Sequence, residues 1–140
     1  IILTDMLADE GDFNSFENIF DGIVTTIRKD RIAEVQVGTE NFHVKNNFLV
    51  AGESVTVNFR ASDVIISRDI PGVISARNIF SAQILDFSYV SNSVLVKLEF
   101  GEEIYAEITR FSLNEMSLSK GDFVYLILKS SSINVTSTNE

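Results

Sequence analysis

Apolar and polar residues alternate along most of the chain from Phe16 onward. The clearest examples are the segments RIAEVQVG, SVTVNF and SVLVKLEF, in which at least every second residue is apolar. A period of two is typical of β-strands that bury one face. Glycine or proline separates these segments at Gly52, Pro71-Gly72 and Gly101, as tight turns require. The pattern therefore predicts an all-β chain of short strands.

The first fifteen residues have a different pattern. Apolar residues recur there at helical spacing, and a glycine suited to ending a helix follows them: Ile2, Leu3, Met6 and Leu7, then Gly11. The sequence predicts a short N-terminal helix and a linker over residues 1–15. Because the chain begins at Ile1 rather than at a methionine, we expect it to be a fragment of a longer protein.

The strand pattern occurs twice. Asn18-Ile19-Phe20 is repeated as Asn78-Ile79-Phe80, and AGESVTVNFRASDVII corresponds to KGDFVYLILKSSSINV. We infer an internal duplication, with a first copy at residues 16–70 and a second copy at residues 71–140. Each copy has the size of a small OB-like Greek-key barrel of about five strands. Because so small a unit buries little surface alone, we expect the two barrels to pack together and the chain to form a homodimer.

Composition excludes several classes of function. Eleven Lys and Arg against twenty Asp and Glu give a net charge of −9, which opposes binding to nucleic-acid backbones. The absence of cysteine excludes disulfides, thiolate metal sites and cysteine nucleophiles. No apolar run is long enough to span a membrane. No glycine-rich phosphate loop is present, so this chain cannot hydrolyse ATP by a P-loop mechanism.

The chain also lacks a convincing catalytic set. His43 is the only histidine, and it lies in an alternating segment, where a strand residue is expected. No Ser-His-Asp arrangement is supported by the sequence. We predict that the chain is not an enzyme, has no catalytic residue and no cofactor, and holds no free metal cation.

Three polar segments could instead bind an anion. They are Ser75-Ala76-Arg77, Thr109 to Ser112, and Lys129-Ser130. Together they offer four hydroxyls, two cations and backbone N–H groups near Ala76 and Ser130, and no carboxylate interrupts them. Thr109 is also suited to capping a short helix over RFSLNEM. A tetrahedral dianion needs many donors and compensating positive charge, which these residues supply.

The three segments, written as Ser-Ala-Arg-Asn, Ile-Thr-x-x-Ser and Lys-Ser, resemble the Mop family of molybdate- and tungstate-binding domains over about residues 74–135. The resemblance implies two tandem OB-like (TOBE/Mop) barrels and an oxyanion site made by Ser75, Ala76, Arg77, Thr109, Ser112, Lys129 and Ser130. It also implies that Ser-Ala-Arg comes from one side of an interface, and Thr109, Ser112 and Lys129-Ser130 from the other. Ile74 departs from the family, which often has threonine there. The first copy has Glu17 near the position of the arginine and is expected to be structural.

FENIFDGIV and VTVNFRASDVIIS in the first copy resemble the barrel that follows the nucleotide-binding domain in many ABC-transporter ATPase subunits. This implies a cytoplasmic regulatory domain of a molybdate/tungstate ABC-transporter ATP-binding subunit, which senses intracellular oxyanion and restrains transport. Its expected partners are an upstream ATP-binding domain and the membrane subunits of the transporter, through which it would lie at the membrane.

Two alternatives remain open. One is a stand-alone molybdate storage protein, and the other is the sensor domain of a molybdate-responsive transcription regulator. A barrel that binds single-stranded nucleic acid is disfavoured by the charge and by the lack of a basic, aromatic face. The sequence does not distinguish molybdate from tungstate, because the two ions have nearly the same size and charge.

Overall fold

A computed structural model describes residues 16–45 and 48–138 of the 140-residue chain. The first copy contains β1 (Glu17–Ile27), β2 (Ile32–Val37), β3 (Glu40–Lys45), β4 (Ser54–Arg60), a 3₁₀ turn (Ala61–Asp63) and β5 (Ile65–Ser67). The second contains β6 (Asn78–Val90), β7 (Ser93–Glu99), β8 (Glu103–Thr109), α1 (Arg110–Met116), β9 (Phe123–Leu128), a 3₁₀ turn (Ser130–Ser132) and β10 (Asn134–Ser137). The predicted N-terminal helix at residues 1–15 lies outside the described residues.

The strands form two antiparallel five-stranded sheets. The first sheet has the order β10-β4-β1-β2-β3, and the second has the order β5-β9-β6-β7-β8. The prediction of an all-β fold with two similar halves is confirmed, as is the hairpin turn at Gly101, whose φ of 109° favours glycine. Within the described part of the chain, no helix has the length and apolar character needed to cross a bilayer.

Each copy gives its last strand to the sheet of the other copy. β5 follows the first copy but pairs with β9, so that Ile65 lies opposite Ile127. β10 follows the second copy but pairs with β4, so that Val135 lies opposite Val57. The sequence predicted instead that RASDVII closes the first copy. Periodicity predicts that a segment is a strand, but it does not predict with which strand the segment pairs. The division of the chain into two barrels at residue 70 stays a prediction.

Two buried asparagines tie the copies together. Asn18, at the start of β1, donates from Nδ2 to the Tyr105 carbonyl at 2.9 Å and accepts from the Tyr105 N–H at 2.8 Å. Asn78, at the start of β6, makes the same pair of bonds with His43, at 2.9 and 2.7 Å. Tyr105 lies in β8 and His43 in β3, so each copy binds the third strand of the other. A buried backbone group needs such a partner, and an asparagine amide offers both a donor and an acceptor.

One hydrophobic core runs through both copies. Phenylalanines from the two sheets meet at its centre, where the Phe42 and Phe80 ring centroids are 4.7 Å apart and those of Phe20 and Phe100 are 5.8 Å apart. Aromatic pairs at these separations add to the free energy of burial. The shared core and exchanged strands make the two copies one structural unit.

We predict that Asn18→Ala lowers the free energy of unfolding by about 2–5 kcal/mol, because it leaves the N–H and C=O of Tyr105 without their partners. Urea denaturation followed by circular dichroism measures the change. Asn41→Ala, at an exposed position of β3, is the control and should change it by less than about 0.5 kcal/mol. Equal effects of the two substitutions would contradict the role of Asn18.

Candidate functional site

Two of the three predicted segments lie at the same end of the second sheet. β6 and β9 are antiparallel, and Asn78 is opposite Leu128. Arg77 directly precedes this pair and Lys129 directly follows it, so that the two cations are neighbours within one chain. Lys129-Ser130 thus lies beside Ser75-Ala76-Arg77 in the same chain, whereas the resemblance implied that the two segments come from opposite sides of an interface. The division of the site between subunits stays a prediction. Antiparallel pairing brings the start of one strand to the end of its neighbour.

The third segment lies elsewhere. Thr109 ends β8 opposite Ser93, which starts β7 opposite Val90 at the far end of β6. The predicted cap is confirmed, since Thr109 Oγ1 accepts from the Ser112 N–H at 3.0 Å and donates to Ser112 Oγ at 3.0 Å. The structure thus collects Ser75, Ala76, Arg77, Lys129 and Ser130 at one end of the second sheet. It leaves Thr109 and Ser112 at the other.

Arg77 and Lys129 are adjacent cations that form no ion pair within the described part of the chain, unlike five of the eleven Lys and Arg residues. Five other cations form ion pairs within 4 Å: Arg28, Arg60, Arg68, Lys97 and Lys120. Among the described residues, no carboxylate pairs with Arg77 or Lys129. The Arg77 guanidinium donates to the carbonyls of Ser75 and Ile74, which leaves its positive charge uncompensated. In a chain of net charge −9, two adjacent unpaired cations make this end of the sheet a candidate for a local anion site.

Ser130 provides a buried polar atom without a partner. The residue is 8% exposed, and its Oγ has no hydrogen-bond partner among the described residues. A buried hydroxyl in this state costs free energy unless a ligand or water binds it. The hydroxyl belongs to the 3₁₀ turn that directly follows Lys129, and it is therefore next to the unpaired cations.

The corresponding end of the first sheet is a natural comparison. There Glu17 is opposite Arg60, at the positions of Arg77 and Lys129. Glu17 accepts a hydrogen bond from the Asn58 amide, and Arg60 pairs with Asp63 at 3.4 Å. The charges at this end are therefore satisfied within the protein.

The buried residues at these two ends also differ between the copies, and again the first copy leaves no buried polar side chain of the described residues unsatisfied there. Phe16 and Ala61 stand in the first copy where Ala76 and Ser130 stand in the second, and they pack with Leu95 in an apolar cluster. In the first copy, Phe16 fills the space that the smaller Ala76 leaves in the second. The methyl group of Ala61 likewise stands in place of the unsatisfied hydroxyl of Ser130. At these corresponding positions the second copy combines unpaired positive charge, an unsatisfied hydroxyl and a small side chain, and the first copy does not.

Sequence reasoning missed the structural role of Asn78, which follows Arg77 directly. Its bonds to His43 hold the start of β6 against β3, and they thereby fix the position of the neighbouring Arg77. The signal in the sequence that could have revealed this role was the repetition of Asn18-Ile19-Phe20 as Asn78-Ile79-Phe80. The predicted strand position of His43 is confirmed, and its Nε2 lies 3.6 Å from Glu34 Oε2.

A groove of about 630 Å³ on the first sheet is lined by residues that include Asp21, Ile23, Gln36 and Ser54, and by none of the predicted donors. Across residues 16–45 and 48–138, no group of three or more histidine and carboxylate side chains is placed to hold a metal ion.

Comparison with known proteins gives relatives among molybdenum and molybdate/tungstate import ATP-binding proteins. The chain is 28% identical, over 91% of its length, to the molybdenum import ATP-binding protein ModC of Mannheimia succiniciproducens. It is 30% identical, over 87% of its length, to ModC of Brucella abortus. It is 35% identical, over 91% of its length, to the molybdate/tungstate import ATP-binding protein WtpC of Pyrococcus abyssi. The chain spans only 43%, 35% and 35% of these relatives, and no family model matches it.

A solved structure has the same fold. The cytoplasmic molybdate-binding protein ModG, crystallised with molybdate, superposes with a TM-score of 0.76 at 24% identity. The match covers 87% of this chain and 96% of the ModG chain. The fold of this chain is therefore the tandem OB-like Mop fold that the sequence predicted.

We predict that Ser130→Ala raises the free energy of unfolding of the ligand-free protein by about 1 kcal/mol, because it removes a buried hydroxyl that has no partner. Chemical denaturation measures the change. Ser131→Ala alters an exposed neighbour and should have no effect beyond about 0.5 kcal/mol. A loss of more than about 1 kcal/mol in Ser130→Ala would show that the hydroxyl is satisfied in the folded protein.

Proposed function

We propose that this chain, a homologue of one part of the molybdenum and molybdate/tungstate import ATP-binding proteins, binds molybdate or tungstate at the end of its second sheet. The observation that carries the proposal is the adjacent unpaired pair of Arg77 and Lys129 beside the buried, unsatisfied hydroxyl of Ser130. The names of the relatives, and the molybdate in the ModG crystals, supply the chemical identity of the anion.

The donors suit a tetrahedral dianion. Two positive charges balance the two negative charges of molybdate or tungstate, and a desolvated anion needs such compensation. The guanidinium offers a planar set of N–H donors, whereas the lysine ammonium acts as a compact charge with three donors. The hydroxyls of Ser75 and Ser130 and the backbone N–H groups at Ala76 and Ser130 add neutral donors. No carboxylate repels the ligand from within these segments.

A second subunit would complete the site. Thr109 and Ser112 share a face at the start of α1 but lie at the other end of β6 from Arg77 within their own chain. A symmetric homodimer could bring these hydroxyls to the cations of its partner, and it would contain two such sites. The revised division assigns Ser75, Ala76, Arg77, Lys129 and Ser130 to one subunit, and Thr109 and Ser112 to the other.

The biological role follows from the relatives as a proposal. The chain corresponds to little more than a third of the import ATP-binding proteins, so that an ATP-binding domain upstream and the transporter's membrane subunits are its proposed partners. In this role the chain senses oxyanion on the cytoplasmic side and restrains further import. Binding across a subunit interface stabilises one arrangement of the two subunits, which is how a ligand shifts a conformational equilibrium. The role is one of binding and regulation rather than catalysis.

A storage protein is the second candidate. Its support is the match to ModG, in which this fold accounts for 96% of a cytoplasmic molybdate-binding chain without any further domain. The sequence encoded directly upstream of Ile1 discriminates the two roles. An ATP-binding domain there supports the transporter role, and a start codon beside Ile1 supports storage.

We predict that the chain binds molybdate and tungstate more tightly than sulfate. Arg77→Ala and Lys129→Ala should each weaken molybdate binding by about two to four decades, because each leaves a buried negative charge undercompensated. Isothermal titration calorimetry with the three anions measures this. Arg60→Ala removes the corresponding cation of the first copy, already paired with Asp63, and should change the affinity by less than about threefold. Tightest binding to sulfate, or equal losses in all three variants, would refute the proposed site.

We predict that mixed mutant subunits recover binding only when the two defects lie in different halves of the site. A heterodimer of Arg77→Ala with Thr109→Ala/Ser112→Ala contains one intact site and one doubly defective site, so half of its sites should bind molybdate. A heterodimer of Arg77→Ala with Lys129→Ala contains no intact site and should not recover. Calorimetry after demonstrated subunit exchange measures both. Recovery in the second mixture would contradict the revised division, because it would mean that Arg77 and Lys129 come from different subunits.

A further inference from the structure

The arginine that follows β5 binds the end of helix α1. Arg68 donates from Nε and Nη2 to the Met116 carbonyl at 3.1 and 3.0 Å, and from Nη2 to the Ser117 carbonyl at 2.6 Å. The same Nη2 lies 3.0 Å from Asp122 Oδ2, directly before β9. The last carbonyls of a helix have no partner within the helix, and a cation is favourable beside them. Arg68 therefore ties the end of α1 to the start of β9.

The exchange of last strands brings this arginine to the helix. β5 comes from the first copy and pairs with β9 of the second, with Ser67 opposite Tyr125. Arg68 is the next residue, and this register carries it to the turn that leads into β9. The first copy thus supplies a cation to a helix of the second copy.

The first sheet has the same turn without the arginine. Asp122 and Glu53 occupy corresponding positions, and each accepts at 2.9 Å from the backbone N–H three residues earlier. Ser137 on β10 stands where Arg68 follows β5, and its hydroxyl donates to Glu53. Only four residues separate β3 from this turn, which begins at Val50, and they are too few for a helix like α1. Because the turn forms without an arginine, the helix is what explains Arg68.

The direction of α1 depends on few contacts. The helix has seven residues, and a helix this short is not stable by itself. Leu113 is buried, and no basic residue lies in the last turn of α1 itself. At its start, Arg110 donates to the Ser91 carbonyl at 3.0 Å and lies 5.2 Å from the centre of the Tyr89 ring. Arg110 thus holds the start of α1, and Arg68 holds its end.

The direction of α1 also determines how two predicted anion-binding hydroxyls lie relative to each other. Thr109 is the last residue of β8, where it is opposite Ser93 in the sheet, whereas Ser112 belongs to the first turn of α1. Their Oγ atoms lie 3.0 Å apart. Because the two residues belong to different elements, this distance depends on the angle at which α1 leaves β8. Arg68 holds that angle from the other end of the helix.

We propose that Arg68 is a positioning residue of the oxyanion site, which holds α1 so that Thr109 and Ser112 present their hydroxyls to the anion together. The inference rests on the proposed function and adds to it a residue outside the three donor segments. Arg68 acts through the helix and does not touch the anion. The first copy thereby takes part in binding, through the strand that it contributes to the second sheet.

Calorimetric titration with molybdate tests this role. Arg68→Ala should weaken binding by about tenfold, as expected when one hydrogen bond to a charged ligand is lost. Arg68→Lys should recover most of the affinity, because an ammonium group also donates to the carbonyls at a helix end. The matched control is Arg28→Ala, which removes an exposed arginine paired with Asp30 at 3.1 Å and should change the affinity by less than about twofold. Circular dichroism confirms that each variant is folded.

A double-mutant cycle distinguishes positioning from a general loss of stability. Ser112→Ala should weaken binding at least about threefold less in the Arg68→Ala background than in the unsubstituted protein, because the hydroxyl is already misplaced there. Ser75→Ala, at the cation end of the site, should cost the same in both backgrounds within about twofold. Hydrogen exchange of the Ser112 N–H, which donates to Thr109 Oγ1, gives a readout without anion and should be about tenfold faster in Arg68→Ala.

The outcomes separate this inference from the proposed function. Molybdate binding that Arg68→Ala leaves unchanged supports the proposed function and overturns the role of Arg68, even if the exchange of Ser112 becomes faster. An equal cost of Ser112→Ala in both backgrounds also overturns that role. Failure of the unsubstituted protein to bind molybdate refutes the proposed function and, with it, any role of Arg68 in binding.

Discussion

The rest of the structure depends on the two side-chain amides that join the copies. Asn18 and Asn78 each satisfy both backbone groups of one residue in the third strand of the other copy. These bonds fix the starting points of β1 and β6, on which the remaining strand pairings are aligned. A longer or charged side chain could not offer a donor and an acceptor at the same distance from the backbone. The position of Arg77 is therefore a consequence of the bond made by its neighbour.

On this common frame the two copies have diverged in a consistent way. The first copy closes its end with Phe16 and Ala61 and neutralises Arg60 through Asp63. The second keeps Ala76 and Ser130 at those positions and leaves Lys129 without an acid. The first copy thus satisfies its own charges, whereas the second keeps unpaired positive charge beside a buried, unsatisfied hydroxyl. A duplicated fold can preserve its stability in one copy while the other retains groups that are costly without a ligand or partner.

Local features of the structure were predictable from the sequence. The all-β fold, the turn at Gly101 and the cap at Thr109 follow from residues within a few positions of each other. Partner choice was not predictable, because β5 and β10 have the same alternation whichever sheet they join. The proximity of Arg77 and Lys129 within one chain was not predicted for the same reason, since it depends on the register of β6 with β9. The free hydroxyl of Ser130 depends on what surrounds it, and no sequence pattern contains that information.

The exchange of last strands also determines when this protein can fold during its synthesis. The first sheet contains β10, which the ribosome produces after the other nine strands described, and the second sheet contains β5, which has to wait for β9. Neither sheet can be completed while the nascent chain is short, although its first strands have already left the exit tunnel. Unpaired strand edges are prone to aggregation. Because each copy completes the sheet of the other, the protein has one continuous core. The same exchange leaves its early strands unpaired, and accessible to chaperones, for much of its synthesis.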